Sequence, residues 1–218
     1  MEIDIKNLEP SQIYKLMISV IVPRPIAWIS TVSKKGVYNV APFSYFAGVS
    51  SEPPLIAVSI GRKESKVKKD TWKNIEETGE FVINMVTKDT IEKMNITALP
   101  FDEDVDEFQE ANLTPIPSSI VKAPRIKESP VNIECRKFEI IEIGKMGLIL
   151  GEILKVHVKD GLLNEKGYVD TKKLEIVGRL GGADYCLITK DNTFTLKRPD
   201  KKWKAKIEKN QGLPRKDF

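Results

Sequence analysis

The sequence predicts a mainly β protein, an antiparallel barrel with a few short helices around it, and three observations carry that reading. Runs rich in β-branched and aromatic residues recur at short spacing, at 26–32, 37–40, 55–60 and 80–86. Turn residues separate them, with Lys34-Lys35-Gly36 and Gly144-Lys145-Met146-Gly147 placed as hairpin turns. Stretches with helical spacing are few, so the strands have to close on one another to remove their edges.

Taken in order, residues 8–17 read as a short helix leading into the barrel, with Ser11 as cap and Ile13, Leu16 and Met17 on one face. The hairpin of 26–40 follows. At Ala41-Pro42-Phe43-Ser44 strand pairing is predicted to stop, because a proline nitrogen cannot donate to a ladder. Asp70 or Thr71 caps the next helix, Trp72 and Ile75 share its face, and Gly79 ends it. The strand at 80–86 alternates little and should be covered on both faces. Residues 90–99 form a second helix, stopped by Pro100, with Ile91, Met94 and Ala98 on one side. The acidic, proline-punctuated stretch 101–130 holds a short helix at 105–111 and too few apolar residues for a core of its own. Residues 131–143 and 148–159 are two long strands, with Leu148, Leu150, Leu154, Val156 and Val158 on one face of the second.

A chain of 218 residues with this pattern is read as one domain, 1–218, with 190–218 a basic C-terminal tail or arm. Seven Lys or Arg fall between positions 197 and 209, without the aromatic platform of an RNA-binding surface, so no nucleic-acid role is expected. The N-terminal segment lacks a basic region followed by an apolar stretch, and no apolar run approaches the roughly 20 residues of a membrane span. A cytoplasmic location without membrane attachment is expected. Cys135 and Cys186 sit in apolar contexts and read as buried thiols, and one His with no CxxC or HExxH pattern gives no metal site.

The chemistry concentrates between Val22 and Thr71. Residues 61–66, reading GRKESK, are dense in hydroxyl and cationic donors and suit a phosphate. The ordered motifs RPIAWIST, NVAPFSYF, SSEPPLIAVSIG and KDTWKNIEETGEFVINMV resemble the flavin reductase-like family, the FMN-binding split barrels that include flavoredoxins. Val105-Asp106-Glu107-Phe108, residues 129–135, Gly151-Glu152-Ile153 and residues 179–185 extend the resemblance over roughly 20–188. It implies an antiparallel Greek-key split β-barrel, FMN as cofactor and a homodimer. The activity implied is an NAD(P)H-dependent flavin reductase-like oxidoreductase or a flavoredoxin-like electron carrier. A non-catalytic flavin-binding or storage module is the alternative. NADH or NADPH would be a transient reductant and a redox protein such as ferredoxin a possible partner.

For the phosphate the resemblance and the donor chemistry select Arg62, Ser65, Lys69 and Thr71, approached from Ser59 and Gly61. For the isoalloxazine they select Ser30 and Thr31 by hydroxyl or backbone, and Asn39, Ala41, Pro42 and Ser44 by main-chain groups. Arg24 and Trp28 stand beside them, Trp28 as ring stack or core anchor. Tyr185 is either a flavin neighbour or a core tyrosine. His157 leaves the apolar face of its strand and is either a catalytic residue near a nicotinamide or a surface histidine. With no GxGxxG after a strand, a nicotinamide would have to stack directly on the flavin.

Overall fold

The computed structural model describes residues 1–63 and 66–196. Ser65 and residues 197–218, most of the basic arm, lie outside them. In chain order the elements are α1 (Pro10–Val20), β1 (Ala27–Val32), β2 (Tyr38–Phe43), β3 (Phe46–Ser51), β4 (Pro54–Gly61), α2 (Asp70–Thr78), β5 (Glu80–Asn84), α3 (Ile91–Ile96), α4 (Glu107–Glu110), β6 (Pro115–Ile116), β7 (Arg125–Ile126), β8 (Val131–Ile143), β9 (Met146–Val158), β10 (Ile176–Arg179) and β11 (Tyr185–Ile188).

One antiparallel sheet of seven strands carries the fold, in the order β2-β1-β5-β8-β9-β4-β3. Its two edge strands, β2 and β3, are consecutive in the chain and separated only by Ser44 and Tyr45. A peptide that short cannot span an open sheet, so the sheet curls until its edges meet. One step beyond the β3–β4 pairs, the Ser59 amide donates to the Tyr45 carbonyl at 2.8 Å and holds the link between the edge strands to β4.

The seam corrects the expected break at Pro42. Pairing runs through it, with Trp28 opposite Pro42 and Ala27 opposite Phe43, and it stops two residues later. Proline is tolerated because β2 is an edge strand, where one backbone side has no ladder to serve. β3 was not anticipated, since its residues are mostly exposed and carry no buried alternation. The helix starts also shift. Glu9, not Ser11, caps α1 through a reciprocal box with Gln12, and Lys69 stands at the cap of α2, with Asp70 already its first residue. Gly79, at φ 75°, ends α2 in the left-handed region as read from the sequence.

Inside the barrel Ala27, Ile29, Phe43, Val58, Ile60, Trp72, Ile75, Phe81 and Ile149 pack together. The inward face of β9 is the opposite of the one expected: Gly147, Ile149 and Gly151 are buried, and Val156 is 49% exposed. A Cβ at Gly147 would stand 2.6 Å from the Trp72 ring, and one at Gly151 2.4 Å from the Phe81 ring. Two aromatic rings therefore occupy the space that side chains on β9 would fill. Register shifts at Glu134/Cys135 and Lys137/Glu139 then change the phase, and Leu154 packs with Val82, Val121 and Ala123 outside the barrel. On that outer side Trp28, Val40, Met94, Phe108 and Val177 form a second apolar layer under α3, α4 and the β10–β11 hairpin.

Candidate functional site

The first turn of α2 lies against β2 and gathers several of the residues selected from the sequence. The Thr71 hydroxyl donates to Asn39 Oδ1 at 2.8 Å, and the Thr31 hydroxyl donates to the same oxygen at 3.2 Å. Asn74 Nδ2 in turn donates to the Thr31 hydroxyl at 3.0 Å. Thr31, Asn39 and Thr71 are thus buried and hydrogen-bonded to one another. Lys69 Nζ sits 5.7 Å from the Phe43 ring centroid, along the strand that also carries Ala41.

The cations of the loop before α2 divide into committed and free. Arg62 bonds Glu142 at 2.6 Å and covers the Trp72 ring at 4.8 Å. Lys63 pairs with Asp70 at 2.6 Å, and Lys68 with Glu76 and Glu142. Lys69 forms no ion pair among the described residues. The cap position of α2 makes no side-chain hydrogen bond, and the first N–H with a helical acceptor is that of Lys73, donating to Lys69 O. The amides of Asp70, Thr71 and Trp72 lead the helix with its positive dipole end behind them. Ser59 and Gly61 are half-buried on β4, in register with Leu148 and Met146, and Arg62, the next residue, bridges Lys68 ahead of α2.

A second group forms at the barrel seam. Arg24 is 4% exposed, yet among the described residues its guanidinium forms no ion pair with a carboxylate. Its Nη1 donates to the carbonyls of Ile18 (2.6 Å) and Ile21 (3.0 Å), Nη2 to that of Leu180 (2.9 Å) and Nε to the Ser44 hydroxyl (3.3 Å). Arg24 therefore joins the end of α1, the seam and the β10–β11 turn. The Arg24 and Arg179 backbones exchange two hydrogen bonds of 2.9 Å, and the Arg179 guanidinium covers the Tyr185 ring at 4.3 Å. Arg24, Ser44 and Tyr185 are brought to one end of the molecule, with half-buried Pro42 on the strand leading to it.

Three selected residues point elsewhere. Trp28 is fully buried in the outer layer, its indole N–H donating to the Thr97 hydroxyl at 2.9 Å, which makes it a core anchor and leaves no face for a flavin. Ser30 faces the same layer, donating to Pro124 O and accepting from Asn84. The two neighbours Ser30 and Thr31 serve opposite faces because side chains alternate along a strand. His157 is an outer residue of β9 whose Nε2 lies 2.5 Å from Glu134 Oε1. It borders a cavity of about 750 Å³ with Asn132, Arg125, Lys127 and Lys159, which contains none of the other selected residues.

Sequence reasoning missed two buried acids. Glu134 is fully buried on β8 and accepts the amides of Ser119, Ile120 and Val121 as well as His157. Burial would raise its pKa, but these donors outweigh it and hold the carboxyl at about 2. Glu107, 5% exposed, accepts from Asn39 Nδ2 at 2.7 Å and from the Val40 amide. Its presence inside the sequence motif VDEF was the one available signal. Cys135 is buried with its thiol pKa pushed up by burial, while Cys186 is half-buried, and both are free. Among the described residues no cluster of three or more His, Cys, Asp or Glu could hold a metal ion, and no helix is long and apolar enough to cross a membrane.

Residues 19–175 match the sequence model of the flavin reductase like domain. The chain belongs to that family. An uncharacterized protein of Aquifex aeolicus is 44% identical over 185 residues, spanning 85% of this chain and 94% of the relative. Nitrilotriacetate monooxygenase component B from Bacillus cereus superposes with a TM-score of 0.85 at 34% identity, covering 90% of this chain and 98% of that one. The Pseudomonas fluorescens 2-nitrobenzoate 2-nitroreductase NbaA follows at 0.83 and 31%, covering 91% and 96%. The family brings with it a flavin-related redox function, and the curled antiparallel sheet is the split barrel the motifs implied.

Proposed function

We propose that the protein is an FMN-dependent oxidoreductase that takes electrons from NADH or NADPH and passes them to a second acceptor. One observation supports this above the others: the ammonium of Lys69, without an ion pair among the described residues, and the leading amides of α2 share a corner in which Arg62, Lys63 and Lys68 are already matched by acids. A phosphate monoester, close to a dianion at neutral pH, wants that donor set. The residues fit the group. Asp70 would oppose it, but its carboxylate is held by Lys63. Arg62, tied to Glu142 and Trp72, shapes the loop in this reading and leaves direct contact to Lys69 and the amides. Bound there, FMN supplies a ring that accepts a hydride and returns electrons to an acceptor. The protein's part is to hold the phosphate, offer Ala41, Pro42 and Ser44 as ring contacts, and keep water off one face.

A single chain leaves that face open. The seam end carries exposed Tyr14, Met17, Val20, Ile21 and Val22 on and after α1, and Val49 on β3. Apolar exposure of this extent beside a ring site supports a homodimer whose second copy completes the wall.

The test compares FMN with riboflavin, which lacks the phosphate. Lys69→Ala should weaken FMN about tenfold to a hundredfold and leave riboflavin almost unchanged. Equal losses for both flavins would reject the phosphate assignment. Sedimentation in the same titration reads the assembly, and a monomer that still binds FMN tightly would remove the dimer. Oxidation of NADH or NADPH by the loaded protein separates an enzyme from a carrier reduced only by another redox protein.

A further inference from the structure

We propose that Glu107 is the positioning residue of the phosphate corner: acting through Asn39, it sets the orientation of the Thr71 hydroxyl and the seating of the first turn of α2 on β2. The inference rests on the reading that this corner holds the phosphate of FMN. The chain of contacts is continuous and buried. Glu107 Oε2 takes one N–H from Asn39 Nδ2 at 2.7 Å and a second from the Val40 amide. With its NH2 turned to Glu107, the Asn39 side chain must turn its oxygen the other way. That oxygen is the acceptor for both Thr71 (2.8 Å) and Thr31 (3.2 Å). Thr71 is the second residue of α2, so the amides offered to a phosphate are held to β2 through a chain that ends on Glu107.

The arrangement uses an acid where an amide would satisfy the same two donors. What the acid adds is a second charge state. Burial pushes the Glu107 pKa up to about 8, opposed by the Val40 amide and by Lys63, with Asp70 and Asp106 raising it further. Below that value the corner faces a neutral side chain. Above it a negative charge appears behind Asn39, on the side of Asp70, where it opposes a phosphate dianion across a short low-dielectric path. FMN affinity is therefore expected to fall as pH rises through about 8, with the phosphate already fully ionised and the protein fold unchanged.

The experiment measures dissociation constants of FMN and riboflavin between pH 6.5 and about 9.5 for the wild type, Glu107→Gln and Lys69→Ala. Any titration of the ring is common to both flavins and cancels in their ratio. For the wild type the preference for FMN should shrink roughly three- to tenfold across the step. Glu107→Gln, whose side-chain oxygen can take both donors, should keep the neutral-pH preference at every pH. A pH step that survives in Glu107→Gln, or no step in the wild type while Lys69→Ala still loses FMN selectively, overturns the proposal and spares the phosphate reading. If Lys69→Ala leaves the FMN to riboflavin ratio unchanged, both fail. Glu107→Ala serves as the second variant. It frees the Asn39 amide to turn over, and it should lose FMN preference at all pH values; an unchanged preference in a folded Glu107→Ala would also overturn the positioning role.

Discussion

Glu107 and Glu134 are both buried glutamates with polar partners, and the protein treats them in opposite ways. Glu134 collects three backbone amides and a histidine, enough to keep it ionised with a pKa near 2. Glu107 has two donors on one oxygen and an aspartate nearby, and its pKa sits near 8. Burial raises both carboxyls; at Glu134 the N–H groups aimed at it outweigh that cost, and at Glu107 they do not. Glu134 pins the loop of residues 118–123 to β8 as a permanent anion. Glu107 braces Asn39 and the Val40 amide as an acid whose pKa burial has raised to about 8.

The largest effect should come from the ionised member. Glu134→Gln replaces an acceptor oxygen with an NH2 group facing backbone amides, so about 2–4 kcal/mol of stability should be lost at pH 7. A native pKa below the ordinary carboxylate value contributes stability above that ordinary value and loses it as pH falls toward about 2. The gap between wild type and Glu134→Gln in urea should therefore narrow as pH falls below the ordinary carboxylate value and close only near pH 2, and a gap of constant size would break the comparison.

Glu107→Gln should behave in the reverse sense. A native pKa raised to about 8 gives stability that is complete below the ordinary carboxylate value and lost as pH rises through 8. The variant should match the wild type below the ordinary carboxylate value and exceed it by about 3–4 kcal/mol near pH 8. Parallel curves for the two proteins would mean that Glu107 is ionised throughout. The smallest effect belongs to His157, one donor among four on Glu134. His157→Gln should cost about 1 kcal/mol of stability. If NADH oxidation then falls far more than stability does, His157 takes part in the reaction in addition to holding Glu134.

Much of the barrel was legible because hairpin signals are local. Gly36 and Gly144 mark their turns by composition alone, and Gly79 ends its helix where a left-handed residue is needed. The face of β9 was not legible in the same way. Leu148 and Leu150 look like the core face by hydrophobicity, but Gly147 and Gly151 lie inward because Trp72 and Phe81, from distant elements, require the room. Alternate glycines in a strand were the signal, and long-range packing supplied the reason. At the site, Thr71 and Asn39, both selected by motif, are hydrogen-bonded to each other, and Lys69 stands two residues before Thr71 at the helix cap. Trp28 and Ser30 carry the right chemistry on the wrong side of β1. Arg24, chosen as a ring neighbour, is spent largely on three carbonyls from two segments, the end of α1 and the β10–β11 turn. Glu107 and Glu134 escaped because a carboxylate in a loop or strand ordinarily belongs to the surface, and only the folded chain reveals how many amides converge on it.

The glycines of β9 also determine what kind of vessel this barrel is. With the Trp72 ring seated over Gly147 and the Phe81 ring over Gly151, the lumen is filled by aromatic and aliphatic side chains packed on one another. A barrel filled in this way keeps its lumen for packing. In the reading proposed above, the flavin would lie on the rim, with protein on one side and the other side open to whatever delivers or collects its electrons.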